Sequence, residues 1–206
     1  MGYYFPIELF ILMTTDLTNA TITSVENSDF TKMGLVAPLL ARLTELAYLQ
    51  PTPIQAQAIP RVLAGRDLIA GANTGSGKTA AFALPILQQQ SLHSVVRHSS
   101  THKKAEGNYV SALILVPTRE LAKQVADSIK SYAVHFNGAI KTVAVFGGVS
   151  VNTQMLALRG GADILVATPG RLLDLISSNA IKLERVKTLV LDEADRMLSL
   201  GFTEEL

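Results

Sequence analysis

The sequence predicts an α/β fold, in which a mostly parallel sheet is flanked by helices on both faces. Three observations support this prediction. Short apolar runs recur after residue 66, helical patterns separate them, and apolar residues make up 48% of the 206-residue chain. Runs that are apolar throughout are typical of parallel strands buried on both faces, and right-handed helical crossovers join such strands. The length corresponds to one domain, or to one domain and a fragment.

The first 29 residues are expected to form a poorly ordered tail that precedes a domain spanning residues 30–206. Residues 14–29 are rich in Thr, Ser and Asn, a composition typical of disorder. Residues 3–13 are largely apolar but too short to span a bilayer, which needs about 20 residues. They lack the basic start of a signal peptide, so an extension without catalytic role is expected.

Two helices are expected before the first of the recurring strands. From Phe30 onwards, leucines up to Leu46 recur at spacings of three to four residues, which predicts a helix. The sequence Pro51-Thr52-Pro53 ends this pattern. Residues 54–63 then form a second helical pattern.

The alternating elements follow in order. Strands are predicted at 67–70, 112–116, 141–146, 164–167 and 188–191, and helices at 78–90, 119–136, 152–159 and 171–178. Residues 91–108 are polar and are predicted to form a flexible surface loop. Three of the four histidines lie there, and a solvated loop is favoured over a metal site.

Charge and cysteine content restrict the classes of function. The formal net charge is only +1, so any nucleic-acid binding must come from local sites and not from an overall basic surface. The chain contains no cysteine. Disulfides and thiolate metal sites are therefore excluded, which fits a reducing cytoplasm without proving it.

A phosphate-binding loop is predicted between the first of these strands and the helix that follows. The sequence Ala72-Asn73-Thr74-Gly75-Ser76-Gly77-Lys78-Thr79 is a variant of the pattern G-x-x-x-x-G-K-[ST], with Ala72 in place of the first glycine. Its glycines let backbone N–H groups point at phosphate, and the helix N-terminus adds positive potential. Lys78 is expected to reach the β- and γ-phosphates, and the Thr79 hydroxyl to be a Mg²⁺ ligand.

An acidic segment completes this predicted site. The sequence Asp192-Glu193-Ala194-Asp195 directly follows the last apolar strand. Asp192 is expected to hold Mg²⁺ through water, and Glu193 to orient or deprotonate the attacking water. Together with Lys78, these two carboxylates are the predicted catalytic residues.

Three loops follow strands at the carboxyl end of the sheet, where open α/β sheets bind ligands. They are Pro117-Thr118-Arg119-Glu120, Phe146-Gly147-Gly148 and Thr168-Pro169-Gly170-Arg171. From the residues alone, helix capping is the favoured interpretation of these loops. A phosphate-binding role is the alternative, because helix N-termini with hydroxyls and arginine form such sites.

A further segment precedes the phosphate loop, with the sequence Tyr48-Leu49-Gln50-Pro51-Thr52-Pro53-Ile54-Gln55. It is followed in order by the phosphate loop, the three loops and Asp-Glu-Ala-Asp. In this combination the chain resembles the DEAD-box RNA helicases. The resemblance runs from about Phe30 to the C-terminus and is strongest to the bacterial RhlE subgroup. It implies the first RecA-like, P-loop NTPase domain of such an enzyme. One departure is Ala47, where the family usually has glycine.

The resemblance also implies roles for individual residues. ATP would be bound by Phe30, Tyr48, Gln55 and the phosphate loop from Ala72 to Thr79, with Gln55 reading the adenine edge and Tyr48 stacking on its face. The RNA backbone would be bound by Pro117, Thr118, Arg119, Glu120, Gly147, Gly148, Thr168, Pro169, Gly170 and Arg171. Asp195 would couple to a Ser-Ala-Thr motif, which does not occur before Leu206.

The expected function is therefore an ATP-dependent RNA helicase that uses ATP and Mg²⁺. A second RecA-like domain, with its arginine finger, is the expected partner, and the chain alone is expected to have low or no activity. A monomeric cytoplasmic protein without membrane contact is predicted. The alternatives are a nucleotide-gated RNA-binding or scaffold module with little turnover, and a DNA helicase.

Overall fold

The structure is a computed structural model that describes residues 8–13, 29–73, 75–99, 107–136 and 140–201. Only the backbone is described for residues 8–13 and 93–99. No helix among the described residues is both long enough and apolar enough to cross a membrane.

The centre of the fold is a six-stranded sheet in which every neighbouring pair of strands is parallel. Its strands are β1 (Glu8–Met13), β2 (Leu68–Gly71), β3 (Val110–Leu115), β4 (Thr142–Val145), β5 (Ala162–Ala167) and β6 (Thr188–Asp192). Their spatial order is β2-β1-β6-β3-β5-β4. The predicted α/β class with a parallel sheet is confirmed.

Helices connect these strands. They are α1 (Ala37–Glu45), α2 (Pro53–Leu63), α3 (Lys78–Ser99), α4 (Arg119–Tyr132), α5 (Val151–Ala157), α6 (Pro169–Ser177) and α7 (Ala194–Ser199). Short 3₁₀ helices cover Phe30–Met33 and Val134–Phe136. Each strand predicted after residue 66 is present within two residues of its expected bounds.

Two hydrophobic layers cover the two faces of the sheet. The alternation of side chains along β3 shows this directly, because Ala112 and Ile114 join one layer, whereas Leu113 and Leu115 join the other. Buried residues of α1 to α4 complete the first layer, and Leu172 and Leu175 of α6 contribute to the second. Burial of the strand on both faces explains why residues 112–115 are apolar throughout.

The N-terminal prediction was wrong for residues 8–13. Instead of a tail, they form β1, which lies between β2 and β6 and pairs in parallel with both. Six largely apolar residues suffice for one strand of a sheet. However, their partners are far along the chain, so sequence order gave no sign of this position. Of the other residues predicted as tail, 1–7 and 14–28 lie outside the described residues, and Asp29 caps the 3₁₀ helix that begins at Phe30.

The loop predicted at 91–108 was wrong for its first part, because α3 continues to Ser99. Residues 91–99 contain no glycine or proline that would end a helix, so a change to polar composition did not mark the helix end. Residues 100–106 lie outside the described part of the chain. The same holds for the side chains of His93, His98 and His102.

Candidate functional site

The phosphate loop and the acidic segment lie at the same edge of the sheet. The loop follows Gly71 at the end of β2, and Asp192 is the last residue of β6. Strand β1 separates them, since Met13 is in register with Gly71 and Leu12 with Asp192. Two strand spacings correspond to about 10 Å, a width that a triphosphate and its metal ion can bridge.

The phosphate loop has the backbone conformation that its glycines allow. Gly75 and Gly77 have φ angles of +78° and +91°, in the left-handed region that strains other residues. Lys78 is the first residue of α3, and its Nζ donates a 2.6 Å hydrogen bond to the carbonyl oxygen of Ala72. The lysine therefore folds back over the loop. Thr74 lies outside the described residues.

Gln55 of α2 contacts this loop through a hydrogen bond. Its Oε1 accepts a 3.0 Å hydrogen bond from the backbone N–H of Thr52, and its Nε2 donates a 3.2 Å bond to the carbonyl oxygen of Gly77. The residue is 1% exposed. Both ends of the amide thus have protein partners, although an NH₂ group carries a second donor. The expected contact with adenine remains a prediction.

Tyr48 and Phe30 belong to an aromatic group that includes a residue missed by the sequence reasoning. Tyr48 packs edge-to-face against Phe30 and Tyr132, with ring centroids 6.4 Å and 6.3 Å apart. The hydroxyl groups of Tyr48 and Tyr132 are 3.1 Å apart. Burial raises the pKa of Tyr132, and the Tyr48 hydroxyl acts in the same direction. Tyr132 had been interpreted only as part of a helix, because nothing in the sequence links it to Tyr48.

Asp192 is the most unusual titratable group of the site. It is 3% exposed, and burial raises its pKa to about 6, opposed by the positive charge of Lys78 and assisted by the negative charge of Glu193. Its Oδ1 is buried and has no hydrogen-bond partner among the described residues. A buried acceptor with spare capacity next to a phosphate loop fits a cation or a water of its hydration shell.

The surroundings of Asp192 fit Mg²⁺ better than a metal held by protein ligands alone. Among the described residues, no group of three or more His, Cys, Asp or Glu side chains could hold a metal ion. Mg²⁺ keeps several waters and is commonly bound by one or two carboxylates together with substrate phosphates. The Thr79 hydroxyl and the Asp192 carboxylate would be the protein groups that hold such an ion.

Glu193 has a strained backbone. Its φ and ψ angles are 55° and 46°, the left-handed region, and it is the N-cap residue of α7. Its carboxylate forms a 3.1 Å ion pair with Arg196, a partner that the sequence analysis did not single out. Such strain in a residue other than glycine is found preferentially at functional sites. Asp195 follows in the first turn of α7.

The three loops after β3, β4 and β5 converge on one groove. This cavity of about 440 Å³ is lined by Pro117, Thr118, Arg119, Glu120, Gly147, Thr168, Gly170, Arg171 and Asp174. Of the ten residues predicted to contact RNA, only Pro169 and Gly148 are absent from this lining. Pro169 is buried at the start of α6, and the Arg119 guanidinium lies where a Cβ atom on Gly148 would project.

Helix capping and a ligand site coexist in this groove. The Thr118 hydroxyl accepts a 3.3 Å hydrogen bond from the backbone N–H of Leu121 and so caps α4. Thr168 occupies the N-cap position of α6 but makes no side-chain capping bond. Both helices direct their N-termini at the groove, which favours binding of an anion.

The two arginines of the groove differ in availability. The Arg119 side chain is 54% exposed and lies 3.7 Å from the Glu120 carboxylate. The Arg171 side chain is 10% exposed, and its guanidinium donates to the carbonyl oxygen of Val149 and to the side chain of Gln154. A ligand can therefore reach Arg119 readily, whereas most donors of Arg171 are already used inside the protein.

Comparison with known proteins agrees with this arrangement. The family described as DEAD/DEAH box helicase matches residues 52–206. The chain belongs to this family. The resemblance to DEAD-box helicases inferred from the motifs is thus confirmed.

Relatives and solved structures of this family cover most of the chain. The ATP-dependent RNA helicase DeaD of Escherichia coli K12 is 45% identical over 177 residues, which is 86% of this chain and 26% of that protein. The DEAD-box ATP-dependent RNA helicase CshA of Streptococcus pneumoniae is 42% identical and is covered to 31%. The chain therefore spans between a quarter and a third of these relatives.

Solved structures support the same fold. The RNA-helicase Prp28 from Chaetomium thermophilum bound to ADP matches with a TM-score of 0.73 and 42% identity, over 87% of this chain and 42% of that one. The yeast DEAD-box splicing factor Prp28 matches with a TM-score of 0.74 and 35% identity, over 88% of this chain and 41% of that one. The fold is thus that of the RecA-like domains of DEAD-box helicases.

Proposed function

We propose that this chain is the ATP-binding domain of an ATP-dependent RNA helicase, and that it hydrolyses ATP when joined to a second RecA-like domain. One observation carries the proposal. The buried Oδ1 of Asp192 has no hydrogen-bond partner among the described residues, and it lies within reach of the Lys78 charge at the edge that carries the phosphate loop. A cation accompanied by phosphate would satisfy both groups.

Binding of the triphosphate would begin at the start of α3. The backbone N–H groups from Gly75 to Thr79 would surround the phosphates, and Lys78 would exchange the Ala72 carbonyl for phosphate oxygens. Thr79 and Asp192 would hold Mg²⁺, the latter through water. When bound, this ion neutralises the charge that develops on the phosphates. Ala72, Asn73 and Thr74 would form the outer part of the loop.

Glu193 is the residue that would act on the attacking water. It follows Asp192 directly, and its left-handed backbone turns its carboxylate away from the direction that a regular strand would give it. Arg196 holds that carboxylate at 3.1 Å. Glu193 would orient or deprotonate the water, and Asp195 would couple this centre to downstream segments.

Adenine selection is proposed for Gln55, Tyr48 and Phe30. The Gln55 amide already contacts the phosphate loop through Gly77, so binding of a base and ordering of the loop would be linked. Tyr48 would stack its ring face on adenine. The buried Phe30 would hold the Tyr48 ring in place through their edge-to-face contact. This assignment rests on the family resemblance together with these contacts.

The groove between the three loops is proposed to bind the RNA backbone. The N-termini of α4 and α6, the glycine backbone of Gly147 and Gly170, and the exposed Arg119 all suit phosphate and sugar. Such contacts position a strand without reading its bases. We also propose that the protein acts as a monomer in the cytoplasm and does not contact membrane.

The narrower resemblance to the RhlE subgroup stays a prediction. The relatives described above carry the names DeaD and CshA, so the comparisons support the family and not this subgroup. The sequence from Phe146 to Ser150 and from Ala167 to Leu175 remains its basis.

Turnover tests the proposed function. In the full-length protein, Glu193→Gln should lower RNA-stimulated ATP hydrolysis by about 10²- to 10⁴-fold, because a general base is lost, while the Kd for ATP stays within a few-fold. Glu184→Gln, at an exposed position away from the site, is the matched control and should retain the full rate. An unchanged rate in Glu193→Gln would refute the catalytic assignment.

A nucleotide-gated RNA-binding module with little turnover is the second candidate. It is favoured because both Lys78 and Glu193 already contact other protein groups. Lys78 donates a hydrogen bond to Ala72, and Glu193 forms an ion pair with Arg196. Tight binding of single-stranded RNA without hydrolysis in the full-length protein would support it. Stronger competition by DNA than by RNA would instead favour a DNA helicase.

A further inference from the structure

The glycine loop between β4 and α5 is held at its first residue by Gln154. This glutamine of α5 is 6% exposed, and its Nε2 donates a 2.9 Å hydrogen bond to the carbonyl oxygen of Phe146. Burial of an amide costs free energy unless its hydrogen bonds are made. Gln154 is therefore fixed in place, and it fixes the beginning of the loop.

Arg171 of α6 holds the other end of the same loop. Its Nη1 and Nη2 both donate to the carbonyl oxygen of Val149 at 3.2 Å. Its Nη1 also donates a 2.9 Å hydrogen bond to Oε1 of Gln154, and its Nε lies 3.4 Å from Asp174. The two side chains thus form one connected unit that bonds both ends of residues 146–149.

The residues between these two anchors are glycines, which have no side chain of their own, although the Arg119 guanidinium lies next to Gly148. A Cβ on Gly147 would meet nothing within 4 Å, so this residue is open to the groove. Gly148 has a φ of +79°. Two consecutive glycines carry a high conformational entropy, and ordering them during binding would weaken affinity. An anchor at each end removes much of that cost before a ligand arrives.

We propose that Gln154 and Arg171 form a clamp that positions Gly147 and Gly148 for contact with the RNA backbone. Gln154 is then a positioning residue for nucleic-acid binding, although it does not line the groove itself. The inference rests on the proposed function in one respect, namely that this groove binds RNA. It assigns Arg171 mainly to the clamp, because most donors of its guanidinium already bond Val149, Gln154 and Asp174 and leave little capacity for a phosphate.

The substitution Gln154→Met tests the clamp. Methionine has a similar shape and no charge, but it cannot bond Phe146 or Arg171. Amide hydrogen exchange at Gly147 to Val149 should become at least about tenfold faster, and the Kd for single-stranded RNA should rise about tenfold, the size expected for loss of a buried hydrogen bond. The Kd for ATP should change less than twofold. Gln124→Met, at an exposed position of α4, is the control and should change none of these.

A second variant, Gln154→Glu, separates the clamp from general damage to the fold. Its carboxylate can still accept from Arg171 but cannot donate to Phe146, so exchange should rise near Gly147 more than at Val149. Faster exchange in Gln154→Met with unchanged RNA affinity would overturn the positioning role, and unchanged exchange would overturn the clamp. If the unsubstituted protein bound no RNA while the variant loop lost protection, the proposed function would fail and the clamp would stand.

Discussion

Burial and charge are in conflict at Asp192. Its carboxyl group lies in an apolar setting that disfavours ionisation, and Glu193 adds a like charge, while Lys78 compensates only in part. Without ligand, such a group favours its neutral form near the acidic end of the physiological range. A nearby cation would reverse this preference, so metal binding and proton release should be linked.

The stability of the protein should therefore depend on pH through Asp192. The pKa of Asp192 is about 6 in the folded protein, whereas an unperturbed aspartate, which stands for the unfolded chain, has a pKa of 3.8. The folded state therefore binds the proton more tightly. The contribution of Asp192 to the free energy of unfolding is fully present below pH 4 and is lost as the pH rises through 6, by at most about 3 kcal/mol. Asp192→Asn should remove this fall.

The measurement is urea unfolding between pH 4 and pH 7.5, without nucleotide or metal. Differences between Asp192→Asn and the unsubstituted protein isolate this one group from other titrations. Parallel curves for the two proteins across the whole range would show that Asp192 ionises normally.

A pair of glycine substitutions should distinguish backbone strain from contact in the phosphate loop. Gly75→Ala and Gly77→Ala both place a side chain at positive φ, at a cost of roughly 1–2 kcal/mol. Only at Gly77 would the new Cβ also collide with the Gln55 amide, whereas at Gly75 it meets nothing within 4 Å. Gly77→Ala should therefore weaken ATP binding much more.

Isothermal titration of ATP into the two variants, with thermal unfolding as a second readout, checks this expectation. Similar affinities in both variants would mean that the contact between Gln55 and the loop is not needed for nucleotide binding.

At the scale of single residues, sequence motifs predict the members of the site but not the protein groups that they contact. Gln55 and Arg171 were predicted to face ligands, yet the structure shows both engaged with protein groups. Gln154, Tyr132 and Arg196 were missed. Each acts through a contact that spans a turn of helix or two separate elements, and a single sequence carries no signal for such pairing.

Among the elements, β1 has the most unexpected position. Among the described strands, β2 pairs only with β1, and β1 pairs in turn with β6. The strand before the phosphate loop is thus connected to the strand of the acidic segment through residues 8–13. Damage to β1 should consequently reach the nucleotide site, although β1 contributes no predicted catalytic residue.

Ile11→Pro should show this connection. Proline removes a backbone N–H from the interior of the sheet, and leaving a buried carbonyl unpaired adds a cost of about 1–3 kcal/mol. The variant should lose at least about 2 kcal/mol of stability and bind ATP more weakly. Ile11→Val keeps the backbone donor and is the matched control.

Chemical denaturation measures the stability of both variants, and ATP titration measures their affinity for ATP. If Ile11→Pro matched Ile11→Val in stability, residues 8–13 would not belong to the sheet in solution.

Helices and strands were predictable where the residues of the element itself show its apolar pattern or its cap. Strands β2 to β6 and helix α4 follow directly from apolar runs and from the capping residue Thr118. The end of α3 was not predictable, because its last residues are polar but still compatible with a helix. Strand β1 was recognisable as apolar, but its partners lie far away in the sequence.

Over the whole molecule, charge is nearly balanced, with a formal net charge of +1. Nucleic-acid binding must then depend on the groove. Of the described residues that line it, Arg119 is the cation with substantial exposure. Affinity for RNA should therefore depend only modestly on salt.

Binding of single-stranded RNA to this chain should give a slope of log K against log salt concentration between about −0.7 and −1.5. This corresponds to one or two phosphate contacts at about −0.7 each. Arg119→Gln should make the slope shallower by about 0.7, and Arg61→Gln, at an exposed position on α2, should leave it unchanged. A slope steeper than about −3 would point to further basic contacts outside the groove.

The placement of β1 also has a consequence for how the protein is made. Residues 8–13 leave the ribosome well before their partner β6 is made, although their other partner, β2, follows sooner. One edge of this apolar segment must therefore wait unpaired until β6 emerges, and such segments are prone to aggregate. The long sequence separation also favours slow folding. Pulse-labelled hydrogen exchange during refolding should show β1 gaining protection after β3 and β5, so that β1 joins the sheet late.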